Sequence, residues 1–126
     1  MSKIGEAENP REPSREALQD EMADVRKVID ALDDEIVTLF ARRQREIERA
    51  ARVKPDLGVP ARVPERIDEV LARVLGASHR EGLSSELAMR VWTAVIEWSI
   101  QYEDRLMGDR APKGDAQASD GGDKPS

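Results

Sequence analysis

The sequence predicts an all-α protein: a three-helix subunit with one long N-terminal helix, paired into an intertwined helical homodimer. Three observations carry this expectation. Ala, Leu, Glu and Arg, all good helix formers, dominate a 126-residue chain that is 39% hydrophobic and 37% charged but only 3% aromatic. No run alternates apolar and polar residues over more than a few positions, as a half-buried strand would. Residues 20–54 also carry a helical stripe with no internal Gly or Pro. Its apolar members are Met22, Val25, Ile29, Leu32, Ile36, Leu39, Ile47 and Ala50, spaced by threes and fours except for one break. The break falls at Arg43, and the stripe runs on to Lys54. A core-facing stripe that admits two cations suits a helix built around something anionic.

The elements follow in order. Residues 1–13 are polar, contain Pro10 and Pro13, and read as a disordered N-terminal arm. Ser14 can cap the first helix, with Glu16 near its positive end. That helix is expected to stop at Pro55, after about 40 residues or roughly 60 Å. A compact 100-residue domain has a radius of gyration of about 13 Å, so such a helix projects beyond its own domain. Its stripe still needs cover, and the same helix from a second copy supplies the simplest cover. Residues 54–60 form a loop. Pro64 suits the first position of a second helix, whose stripe is Ile67, Val70, Leu71, Val74 and Leu75. Gly82 stops that helix and Ser84 caps the third, which runs to about Met107. Residues 108–126 are Gly, Asp, Ser, Lys and Pro with little to bury, and read as a disordered tail. The folded domain is thus expected to span residues 14–107.

Composition narrows the function. A net charge of -6 argues against nucleic acid as a partner, and acidic residues interleave with the Arg42-Arg43-Gln44-Arg45 run. With no Cys and one His, thiolate chemistry is excluded and neither a metal nor a cofactor is expected. The N-terminus is polar and acidic, unlike a secretory signal, and no apolar run approaches membrane-spanning length. The expectation is a soluble, cytoplasmic protein without a membrane partner.

Three cations on the first helix stand out: Arg26, Arg43 and Lys54. Arg43 and Lys54 are 11 residues apart, about 20° around the helix and about 16 Å along it, so their long side chains can lean towards one pocket. Arg26 lies 17 residues before Arg43, about 25 Å away, and cannot serve that pocket within its own chain. In an antiparallel pairing, Arg26 of one copy falls beside Arg43 of the other. The competing reading is that cations flank the stripe and snorkel to solvent. Arg66, early in the second helix, is a fourth candidate, with an exposed first-turn Arg as its alternative. Ser99 and Glu103, at i and i+4, place a hydroxyl and a carboxyl on one face of the third helix.

These residues resemble the all-helical chorismate mutases. The likeness covers about residues 23–106. It rests on the run from Val25 through Arg26 to Asp33, on Leu39-Phe40-Ala41-Arg42-Arg43, on Lys54, on Pro64-Glu65-Arg66, and on Ile96-Glu97-Trp98-Ser99 continuing to Glu103. The resemblance implies an intertwined dimer, with Arg43 and Lys54 gripping a small dianionic substrate from one chain and Arg26 from its partner. It implies that Arg66 supports the same site, that Ser99 lines it, and that Glu103 takes the place, usually Gln, beside the ether oxygen. Catalysis would then be the [3,3] rearrangement of chorismate to prephenate, which requires no nucleophile, metal or cofactor. Some mutases of this family are activated by a partner enzyme, which leaves such a partner open here.

The chain departs from the family pattern in two respects. Where the family usually places acidic residues facing the 4-hydroxyl of chorismate, this chain has Val63 and Ile67, and Glu103 replaces Gln. Isochorismate pyruvate lyases share the apolar residue after Arg66 but keep the Gln. The 4-amino-4-deoxychorismate mutases, which serve secondary metabolism, resemble the chain at both positions, including Glu103-Asp104 and the Gly58-Val59-Pro60 loop. The readings are therefore a mutase acting on chorismate or its 4-amino analogue, an isochorismate pyruvate lyase, or a non-catalytic helical dimerisation module.

Overall fold

A computed structural model of the chain describes residues 11–112, over which three α-helices follow one another without a strand. They are α1 (Arg15–Leu57), α2 (Pro64–Glu81) and α3 (Ser85–Met107). Most of the expected N-terminal arm, residues 1–10, and residues 113–126 of the expected tail lie outside the described residues.

The helix boundaries follow local chemistry. The Ser14 hydroxyl accepts from the Ala17 backbone N–H at 3.0 Å, and Ser84 does the same for Leu87 at 3.2 Å. The end of α1 corrects the expectation that Pro55 terminates it, since Pro55 sits inside the last turn and the helix closes at Leu57. A proline there forfeits only its own bond to the preceding turn. The closure is made by Gly58, which takes a φ of 69°. The Gly58 N–H bonds to the Pro55 carbonyl at 3.1 Å and the Val59 N–H to the Lys54 carbonyl at 2.9 Å, a Schellman pair. Gly82, with φ 71°, ends α2 the same way through Leu83 and Ser78. The described chain goes on for five residues past α3, to 112. Gly108–Arg110 forms a 3-10 turn, Arg110 meets Asp56 at 2.6 Å, and Ala111 packs on the cluster of Ala51, Ala61 and Met107. Ordered chain thus continues past Met107, because Ala111 has apolar surface to cover despite its polar surroundings in the sequence.

The chain divides into two units, residues 1–41 and 42–126. In the first, the described part is a lone stretch of α1 in which every residue through Leu39 is exposed. Its stripe of Leu18, Met22, Val25, Ile29, Leu32, Ile36 and Leu39 is between 38% and 58% exposed. A single helix cannot bury its own apolar face.

In the second unit, the rest of α1 and the α2–α3 hairpin enclose a thin core of Ala51, Ala61, Ala88, Ile96 and Met107, and no large side chain among the described residues is fully buried. The α1–α3 contact has a polar clasp. The Tyr102 hydroxyl donates to Glu48 at 2.7 Å, and its ring stacks on Trp98 with centroids 4.7 Å apart. That hydrogen bond needs a neutral phenol and an ionised carboxylate, so it raises the Tyr102 pKa and lowers that of Glu48. The linkage signs differ for the two groups. The Tyr102 contribution is complete below about pH 10 and fades as pH rises through its higher folded value. The Glu48 contribution is complete above its unfolded pKa and fades as pH falls through its lower folded one. Tyr102 is the chain's single tyrosine. Phenolate absorbance should therefore titrate above 10 in the folded protein and return towards the ordinary value in Glu48→Gln.

Candidate functional site

Seven of the eight candidate residues line one cavity of about 320 Å³ within the second unit: Arg43, Lys54, Val63, Arg66, Ile67, Ser99 and Glu103. The eighth, Arg26, lies in the first unit and is exposed. Each element contributes by its own periodicity. Two turns of α1 separate Ile47 from Lys54 on the cavity wall, with Arg43 one turn before Ile47. On α3, Ser99 and Glu103 face inwards, and both are buried. The first turn of α2 begins at Val63, whose carbonyl accepts the backbone N–H groups of Arg66 at 3.0 Å and Ile67 at 3.1 Å. That turn brings Val63 and Ile67 together as an apolar wall.

The polar groups are joined in two sets. The Ser99 hydroxyl donates to the Val95 carbonyl at 2.7 Å and accepts from the Arg43 guanidinium at 2.9 Å. Its one hydrogen is used within α3, which leaves an oxygen lone pair to orient Arg43. Burial lowers the Arg43 pKa first, the nearby Arg66 charge lowers it further, and Glu103 partly offsets both. Two guanidinium groups near one another make a place where negative charge is stabilised.

The second set centres on Lys54. Its ammonium donates to a Glu103 carboxylate oxygen at 2.6 Å and to the Ala61 carbonyl at 3.0 Å. The Glu103 side chain is 6% exposed and that of Lys54 21%. Lys54 therefore fixes the turn after α1 as well as a buried carboxylate. Arg66 is much more open and pairs with Glu69 one turn on at 2.8 Å. Both readings of Arg66 describe it: it borders the cavity and its side chain is largely solvated.

Sequence reasoning did not identify Glu46, Ala61, Val70, Ile96 or Ile100 as cavity residues. The signal for Ile96 and Ile100 was available, since they flank Ser99 on the same helix face. Nothing in the sequence marks the Ala61 carbonyl as a lysine acceptor, because that depends on the path of the loop. Among the described residues no group of three or more His, Cys, Asp or Glu side chains is placed to hold a metal ion. No helix among them is long and apolar enough to cross a membrane.

The fold and cavity define a class: a small all-helical domain whose cavity gathers cations, one hydroxyl and one buried carboxylate over an apolar wall. The chorismate mutase type II family model matches residues 25–104, and the chain belongs to that family, whose mutases are isomerases. Three curated relatives agree with that assignment. A chorismate mutase of Methanocaldococcus jannaschii is 27% identical over 78 residues, covering 62% of this chain and 79% of the relative. An isochorismate pyruvate lyase of Pseudomonas aeruginosa is 30% identical over 80 residues, covering 63% and 77%. A T-protein of Haemophilus influenzae is 36% identical over 91 residues, covering 71% of this chain and 24% of the relative. No solved structure matches significantly.

Proposed function

We propose that the protein catalyses the [3,3] rearrangement of chorismate, or of 4-amino-4-deoxychorismate, in the cavity bordered by Arg43, Lys54 and Glu103. The observation that carries this reading is the convergence of Arg43, Lys54, Arg66 and Ser99 on one cavity in a chain of this family. In the reaction the ether C–O bond breaks as a new C–C bond forms, and no atom enters or leaves. The protein has two tasks. It must hold the extended substrate as a folded conformer, and it must stabilise negative charge growing on the ether oxygen. Arg43, held by Ser99, is suited to a substrate carboxylate. Lys54 is suited to the ether oxygen and its neighbouring carboxylate. A second copy supplies Arg26 and covers the exposed stripe of the first unit, so the working form is a homodimer.

The 4-amino substrate is favoured by charge. Glu103 already neutralises Lys54, and Val63 and Ile67 offer a 4-hydroxyl no hydrogen-bond partner. A substrate carrying an ammonium group alongside two carboxylates suits a pocket that contains a buried carboxylate. The pyruvate lyase reading rests on the Pseudomonas aeruginosa relative and on the apolar Ile67. A panel of chorismate, isochorismate and the 4-amino analogue, with products identified, tests all three. The expected result is rearrangement, faster with the 4-amino analogue; pyruvate release from isochorismate alone would replace the mutase reading. In Glu103→Gln, the preference for the amine should fall, and an unchanged ratio would remove the ammonium role.

A further inference from the structure

A second cavity, of about 550 Å³, adjoins the first and shares Arg43, Arg66 and Val70 with it. It is bordered by four arginines, Arg43, Arg66, Arg73 and Arg80, and by no carboxylate. This is an unusual wall in a chain with 26 acidic against 20 basic residues. Three of the arginines recur every seventh residue along α2, so they form one row about 10 Å apart per step. Arg80 folds back along Gly76, where an added Cβ would lie 3.7 Å from its guanidinium. Among the described residues neither Arg73 nor Arg80 has an ion-pair partner, whereas Arg62, Arg66, Arg90 and Arg110 each have one.

We propose that this groove is an anion-binding antechamber of the candidate site, with Arg73 and Arg80 receiving the carboxylates of the incoming substrate before Arg43 and Lys54 do. The identity of that anion rests on the function proposed above. The physical need is plain: a protein of net charge -6 repels an anionic substrate at long range. The unpaired Arg73 and Arg80 oppose that repulsion along one path, and the shared Arg43 and Arg66 make the path continuous with the cavity. Arg73 and Arg80 stay behind when the substrate is seated, so they act on its capture and leave the chemical step alone.

The test is the full-length Arg73→Gln/Arg80→Gln variant against Arg45→Gln/Arg90→Gln, which changes the net charge equally elsewhere. At an ionic strength near 0.01 M, where the Debye length is about 30 Å, the groove variant should raise KM for chorismate about tenfold with kcat within about twofold. At 0.5 M salt that difference should shrink below about twofold, and the control pair should change KM little at either salt. A readout independent of turnover uses malonate as a dicarboxylate probe. In a Trp98→Phe background, Trp92 at the groove wall should report malonate binding, weakened about tenfold by the two substitutions. Unchanged malonate affinity and KM would overturn the proposal. So would a loss of dimer mass or helicity in the groove variant, which would make the arginine row a structural contact with a second copy. If the wild-type protein turns over none of the three substrates, the proposed function falls while malonate binding still decides the groove.

Discussion

Arg43→Ala should retain helicity and assembly yet lower turnover about a thousandfold, the scale seen when one preorganised group that stabilises developing charge is removed. Arg43 sits where a pure pairing helix would gain stability from an apolar side chain, and burial there lowers its pKa. Circular dichroism and mass measurement should match the wild type. Wild-type-like turnover would remove Arg43 from the site. The same variant tests the origin of Arg26. When Arg43→Ala chains are mixed with Arg26→Ala chains, half the dimers are mixed, and each of those holds one intact site. Activity should therefore recover to about a quarter of wild type by random pairing. No recovery would mean that Arg26 does not reach a partner's cavity.

The second large effect concerns the Lys54–Glu103 pair. Lys54→Ala leaves a carboxylate that is 6% exposed without its cation and releases the Ala61 carbonyl. Breaking a buried pair from one side costs about 3 kcal/mol or more. Chemical denaturation should show that loss together with near-complete loss of turnover. Lys54→Ala/Glu103→Ala should recover much of the stability and none of the activity, because the stranded charge is gone while the cation proposed for the ether oxygen is still missing. If the double variant is as unstable as the single one, the pair is not what couples α1 to α3.

Much of this was legible in the sequence, and the reasons are specific. The α1 stripe with cations at Arg43 and Lys54 could be read from spacing alone, because helix geometry is local. The caps at Ser14 and Ser84 and the stop at Gly82 were legible for the same reason. Ser99 and Glu103 share a helix face by their i, i+4 spacing, whereas Val63 and Ile67 were legible only through the family resemblance. What escaped were contacts across long separations. Arg43 meets Ser99 56 positions away, and Lys54 meets Glu103 49 positions away. The resemblance sets Glu103 beside the ether oxygen but does not show that Lys54 already holds its carboxylate. The extension of α1 through Pro55 escaped because the closing glycine, Gly58, overrode the proline.

The thin core of the second unit has a consequence for folding. Large apolar side chains from Leu18 to Leu39, and Trp98 and Leu106, are exposed in the single chain. Where a second copy supplies their cover, folding and assembly become one equilibrium governed by mass action. The melting temperature then climbs with protein concentration, and dilution unfolds the chain by the same route as heat.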